Sequence, residues 1–184
     1  MDGLKKKRRK LAVAQIWSFY ALQILPDIAF RFYEVNEVVM KTIFVIFFIS
    51  SIFPLCLGVV NSVMAARTAY TVEESLIPIM TKEKLALIPW FIINFFLWFF
   101  LAGLCFNPFL MVLAPGFMIV GITVSYLYFI AANLPMFVYV IARLIKHRRK
   151  PTKGIVWALI FQAIYFLDYI GNFIFKRADK KDCI

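Results

Sequence analysis

From Leu85 to Ala142 the chain carries no Asp, Glu, Lys, Arg or His. A helix needs only roughly 20 residues to cross a hydrocarbon core of about 30 Å. The uncharged run is too long for one crossing and too apolar for water, so it must reverse direction. Asn107, Pro108, Pro115 and Gly116 supply residues suited to a turn. Two membrane helices result, 86–105 and 116–145, and the rest of the chain has to be fitted around that hairpin.

Composition points the same way. With 63% hydrophobic and 18% aromatic residues and a mean hydropathy of +0.83, the chain has too little polar surface for an ordinary soluble domain. The expected fold is an all-α, polytopic transmembrane bundle of five spans at 11–32, 38–66, 86–105, 116–145 and 155–175. Residues 1–184 read as a single integral membrane domain with a cytoplasmic N-terminus. Residues 1–10 form a basic cytoplasmic flank, 67–84 and 146–153 cytoplasmic loops, and 176–184 a tail.

A net charge of +11 on a soluble surface would suggest nucleic acid. Here the charge sits in two runs beside apolar spans. Lys5, Lys6, Lys7, Arg8, Arg9 and Lys10 form one; Arg143, Lys146, Arg148, Arg149, Lys150 and Lys153 form the other. That is the pattern of cytoplasmic flanks in contact with anionic lipid, so no nucleic-acid partner is expected. The basic-residue bias favours five crossings with the N-terminus inside and the C-terminus outside. The alternative, a first segment lying on the inner surface, divides the charges less well. Trp17, Trp90 and Trp157 then fall near the inner interface, where indoles are favoured. The basic tail on the outer side is at odds with this topology.

The first span is interrupted by Gln15, Ser18, Gln23, Asp27 and Arg31 and should kink at Pro26. It lacks a convincing cleavage site and reads as uncleaved. In the second, Ser50, Pro54, Gly58, Ser62 and Ala66 recur every four residues, a stripe that lets helix backbones approach closely in lipid. Thr71 to Glu74 has the capping-box form, with Pro78 limiting the element it opens to a short surface helix. Cys56, Cys105 and Cys183 show no metal or disulfide spacing, although a Cys105–Cys183 bridge is conceivable if both lie outside.

Charges within spans are costly, which makes them the best pointers to a site. Asp27 and Arg31 are four apart and share a helix face. Asp168 lies at a similar depth in the fifth span if that span runs parallel to the first. At those depths the three can meet in the outer third of the bilayer. They form either an ion pair that locks the two spans or an outward-facing pocket that binds a small solute or relays protons, unless Arg31 only snorkels to the surface. Asn94, among phenylalanines in the third span, and Gln162 in the fifth complete the candidate binding residues. Gln15, Asn61, Asn133 and Gln162 are better read as hydrogen-bonding glue between helices.

His147, the single histidine, lies in a basic run, so histidine triads and histidine metal clusters have no residues to use. An aspartyl pair is disfavoured because Arg31 would keep both carboxyls ionised. No catalytic residue, metal or cofactor is expected. The chain reads as a small multi-pass protein of the cell membrane, of bacterial plasma-membrane type. Its expected role is non-enzymatic: an accessory or interaction subunit, working with a membrane protein partner or a second copy, or a component that binds a small solute. The alternative is a self-sufficient transporter or channel with a polar pocket in the outer half of the bilayer.

Overall fold

A computed structural model describes residues 2–32, 37–104, 114–164 and 167–180. Among them every regular element is helical: α1 Asp2–Phe32, α2 Glu37–Thr71, α3 Ile77–Leu85, α4 Ile88–Leu104, α5 Ala114–Lys146, α6 Lys153–Phe161 and α7 Asp168–Asp179. Three stretches among the described residues are long and apolar enough to cross a membrane, Ile49–Thr71, Ile77–Phe100 and Ile119–Lys146. The second of these joins α3 and α4 through a single turn at Ala86 and Leu87, just ahead of Pro89. The turn expected in the uncharged run at Asn107 and Pro108, and a Cys105–Cys183 bridge, lie outside the described residues. Cys56 is a free, exposed thiol.

α2 is the central helix, packed most extensively on α5 and next on α1. The small-residue stripe makes this approach. A Cβ built on Gly58 would lie 2.7 Å from the Ala131 carbonyl oxygen, so only glycine lets the two backbones meet there. Pro54 and Ser62 on the same stripe are buried, and the Ser62 hydroxyl donates to Gly58 O at 2.7 Å, so it is not left unpaired between the helices.

Two clusters fill the interior. Phe19, Trp90, Phe91, Tyr128 and Phe129 join α1, α4 and α5, with Phe19 and Trp90 ring centroids 4.8 Å apart. Trp90 is therefore a core residue and not part of an interfacial belt; Trp17 and Trp157 are exposed. The second cluster joins α2, α3 and α5 to the final two helices through Ala65, Ile77, Tyr139, Val140, Ile155, Ala158 and Phe175.

The sequence motif at Thr71 does not cap α3. Thr71 ends α2 and its hydroxyl turns back to Arg67 O at 2.9 Å. The α3 N-cap is Leu76, whose N–H donates to the Tyr139 hydroxyl at 3.0 Å, with Pro78 in the first turn. Proline pre-sets that turn without a backbone donor, and a buried tyrosine replaces the side-chain cap.

The fifth expected span, 155–175, does not form as one helix. The chain breaks after Phe161 and reverses, so that α6 and α7 pack side by side as a hairpin. A Cβ on Gly171 would stand 2.7 Å from Ala158 O and 3.0 Å from Gln162 Nε2. Gln162 Nε2 donates both to Asp168 O at 3.1 Å and to Asn172 Oδ1 at 2.9 Å, closing the turn. At 1.5 Å per residue, the nine residues of α6 reach about 13 Å, under half of a hydrocarbon core. The charged end of α7 therefore returns to the end of the bundle that holds the 146–153 connection, not to the opposite end.

Candidate functional site

Helical spacing carries Lys84 into the protein. Ile77, Met80 and Lys84 are the buried residues of α3, at positions i, i+3 and i+7, so the lysine shares its face with two core side chains. α7 shows the same pattern with Asp168, Gly171, Asn172 and Phe175 buried. The two faces bring Lys84 Nζ to 2.6 Å from Asp168 Oδ2, with the side chains 4% and 2% exposed. Lys84 also donates to Gln162 Oε1 at 2.9 Å and lies 5.7 Å from the Tyr169 ring centroid. One lysine thus holds the start of α7 and the link that precedes it.

A second buried set adjoins it. Gln15 Nε2 donates to Ala131 O at 3.0 Å, and Asn61 Nδ2 donates to Gln15 Oε1 at 3.1 Å, tying α1, α2 and α5 together. Gln15, Asn61, Glu83 and Lys84 are the polar walls of a cavity of about 30 Å³. Since one water needs roughly 10–15 Å³, the space suits one or two waters and no solute. An ammonium has three donors and Lys84 uses two. Asn61 Oδ1 is buried with no partner among the described residues. A water accepting from Lys84 and donating to Asn61 would satisfy both.

Acidic residues elsewhere are also engaged by bases from other helices. Arg8 is 1% exposed, and its Nη2 donates to both carboxylate oxygens of Glu83 at 2.8 and 3.0 Å. Lys5 pairs with Glu74, and Lys146 with Glu73 at 2.7 Å. Arg143 Nη1 donates to the carbonyls of Val72 and Glu73, just beyond the end of α2. Lys146, by hydrogen bond and charge, holds the Glu73 carboxyl below its ordinary range. Partial burial, then the charges of Arg143, Lys146 and Arg149, hold the His147 imidazole below its ordinary value, with Glu73 opposing.

Of the residues singled out from sequence, Asp168 and Gln162 lie in this network. The side chains of Asp27 and Arg31 lie outside the described residues, and Asp168 is occupied by Lys84. Asp168 therefore lies beside Lys84, the neighbour in sequence of the Glu83 that Arg8 engages, and its expected meeting with Asp27 and Arg31 falls outside the described residues. Asn94 is separate, donating from α4 to Ser125 Oγ on α5 at 2.8 Å. Asn133 is buried with neither amide atom bonded among the described residues. Sequence reasoning leaves out Lys84 and Arg8 because both stand in charged segments that read as solvated. The available signal for Lys84 is its spacing from two apolar neighbours, Ile77 and Met80.

Among the described residues no three His, Cys, Asp or Glu side chains gather as metal ligands. The arrangement offers fixed ion pairs, interhelical amide bonds and a water-sized space. A family of unknown function, DUF6652, matches residues 7–181, and the chain belongs to that family. No curated protein and no solved structure matches it.

Proposed function

We propose that this member of the family is a multi-pass membrane protein without enzymatic activity, acting as an interaction or accessory subunit through its lateral helix surfaces. The carrying observation is the division of its surface chemistry. Glu73, Glu74, Glu83 and Asp168 are paired with bases from neighbouring helices, while large apolar side chains such as Ile49, Phe53, Phe96, Phe99, Ile122 and Phe173 face outward. A partner in the bilayer therefore meets apolar contact surface, which suits a second membrane protein or a second copy. The cavity beside Lys84 is too small for a solute, which sets this reading ahead of a solute binder or carrier.

In this reading α1, α2, α3 with α4, and α5 cross the plasma membrane, and α6–α7 enters from the cytoplasmic side without crossing. Irregular backbone at membrane depth is tolerated when protein covers and satisfies it, as Gln162 does for the turn. N-terminus and tail then share the cytoplasmic side, and every basic residue except Arg31 and Lys41 falls in a segment on or next to that side. These basic segments face anionic lipid headgroups.

Two measurements test the reading. A reporter fused after Ile184 is expected to be active in the cytoplasm; periplasmic activity overturns the half-crossing hairpin. Native mass spectrometry after extraction in mild detergent is expected to show a second protein chain. A monomer retaining a small polar solute would overturn the interaction role.

A further inference from the structure

Where the two helices of the final hairpin diverge, at its charged end, they leave a cleft of about 340 Å³. Thr152, the N-cap of α6, lines it with Gly154 and Ile155 of that helix, and Phe173, Ile174, Arg177 and Ala178 line it from α7. The lining is graded. Arg177 and Thr152 stand at the charged end, Phe173 continues toward the apolar outer face of α7, and the buried Ile155 with the partly buried Ile174 closes the cleft toward the core. Trp157, exposed one turn into α6, marks the depth at which an indole sits between headgroups and chains.

We propose that this cleft binds the phosphate headgroup of an anionic glycerophospholipid, with its acyl chain laid along Phe173 and Ile174. The proposal rests on the membrane-embedded reading above and names the site through which that lipid is held.

Lys5, Arg8, Lys84 and Lys146 are consumed by carboxylates, whereas Arg177 is exposed and has no ion pair among the described residues. A guanidinium presents a planar fork that matches two phosphate oxygens, and Lys176 stands beside it on α7 and Lys180 at the C-cap of that helix, with Lys153 across the hairpin on α6. The Thr152 oxygen accepts the Ile155 N–H at 3.4 Å as the helix N-cap. Its own hydroxyl hydrogen is then available to donate to a phosphate oxygen. A soluble phosphate would meet only this charged end. A lipid also covers Phe173, which is 72% exposed, and so uses the whole cleft.

The test uses the full chain in nanodiscs of neutral phosphatidylcholine titrated with phosphatidylglycerol, reading lipid retention by native mass spectrometry. Three variants separate the possibilities. Arg177→Gln removes the fork. Gly154→Leu fills the cleft without changing charge, and a Cβ there would meet Ile174 Cγ2 only at 3.9 Å, so the hairpin accommodates it. Lys10→Gln removes one exposed charge from the far flank. Arg177→Gln and Gly154→Leu are each expected to reduce phosphatidylglycerol retention about tenfold, the equivalent of one charge-assisted contact, with a smaller loss in Lys10→Gln, which gives up only diffuse attraction. Equal loss in Arg177→Gln and Lys10→Gln would mean diffuse attraction and overturn the site, as would an inert Gly154→Leu. Displacement of the lipid by millimolar inorganic phosphate would overturn the lipid assignment in favour of a bare phosphate. Failure to remain in neutral discs overturns the membrane reading itself, whereas retention there without phosphatidylglycerol preference overturns the site alone.

Discussion

Lys84 and Asp168 form a 2.6 Å ion pair in which each side chain is almost wholly buried, across an interval that includes all of α4, α5 and α6. The pair joins the turn of the hairpin to the helix that leads into the main uncharged span. Neither side chain reaches bulk solvent. Each is tolerable only while the other is present, so the hairpin is held by a contact whose loss leaves an uncompensated charge.

That asymmetry predicts a mutant pattern. Lys84→Met or Asp168→Leu alone is expected to cost about 3–5 kcal/mol, because a lone buried charge remains. The double variant is expected to recover most of this, since an apolar pair of similar volume avoids the desolvation penalty. Thermal unfolding followed by fluorescence-detected size exclusion measures it. A double variant as unstable as the sum of the singles would mean no coupling between the two charges and would overturn their mutual dependence.

The hairpin has a second point of dependence. A methyl on Gly171 would stand 2.7 Å from the Ala158 carbonyl, closer than real Cβ atoms come to a backbone atom. Gly171→Ala should force α6 and α7 apart at a cost of about 1–3 kcal/mol, as overpacking does. The check is labelling of a cysteine placed at Ala163, at the hairpin turn, by a membrane-impermeant maleimide in inside-out vesicles. Faster labelling in the Gly171→Ala background is expected, and unchanged labelling would mean the helices absorb the methyl without opening.

The helical class is legible in the uncharged run because hydrophobic length alone decides it. The α2–α5 contact is legible too: glycine in a four-residue stripe leaves few structural uses other than close backbone approach, and Gly58 meets Ala131. The last two helices are not. Residues 155–175 have the length and hydrophobicity of a span, and the break depends on Gln162 turning back to Asp168 and Asn172, a tertiary event that no local period reports. Lys84 escapes notice for a related reason. Charge near a span end usually means solvent, and only the burial of Ile77 and Met80 on the same face, knowable once α3 packs, carries it inward.

Acid should weaken the charged end of the molecule in two steps. The unfolded chain protonates His147 near its ordinary 6.5, while the folded chain resists. The unfolded state therefore binds more protons below that pH, and stability falls as pH drops through about 6.5. Glu73 has its folded value lowered from an ordinary 4.5, so a further fall begins near that pH. His147→Gln is expected to flatten the first step and leave the second; thermal midpoints measured from about pH 7.5 to 4 would show it. Superimposed curves for parent and variant between about pH 7 and 5.5 would rule His147 out as the source.

The N-terminal basic run does not act as a uniform charged flank. Arg8 is 1% exposed and donates to Glu83, whereas Lys7, Arg9 and Lys10 beside it are exposed. Four residues of one charge sign in a row thus divide into one interior anchor and three solvated neighbours. Because helix periodicity turns only position 8 of these four toward α3, equal substitutions should have unequal effects. Arg8→Gln is expected to cost about 2–3 kcal/mol, less than the full penalty for a broken buried pair because Glu83 retains some access to water. Arg9→Gln and Lys10→Gln should stay within about 0.5 kcal/mol, as surface changes do. Equal effects along the run would mean that α1 does not dock in this register. Since Gln15 lies seven residues beyond Arg8 on the same face, its bonds to Ala131 and Asn61 would be lost with that docking.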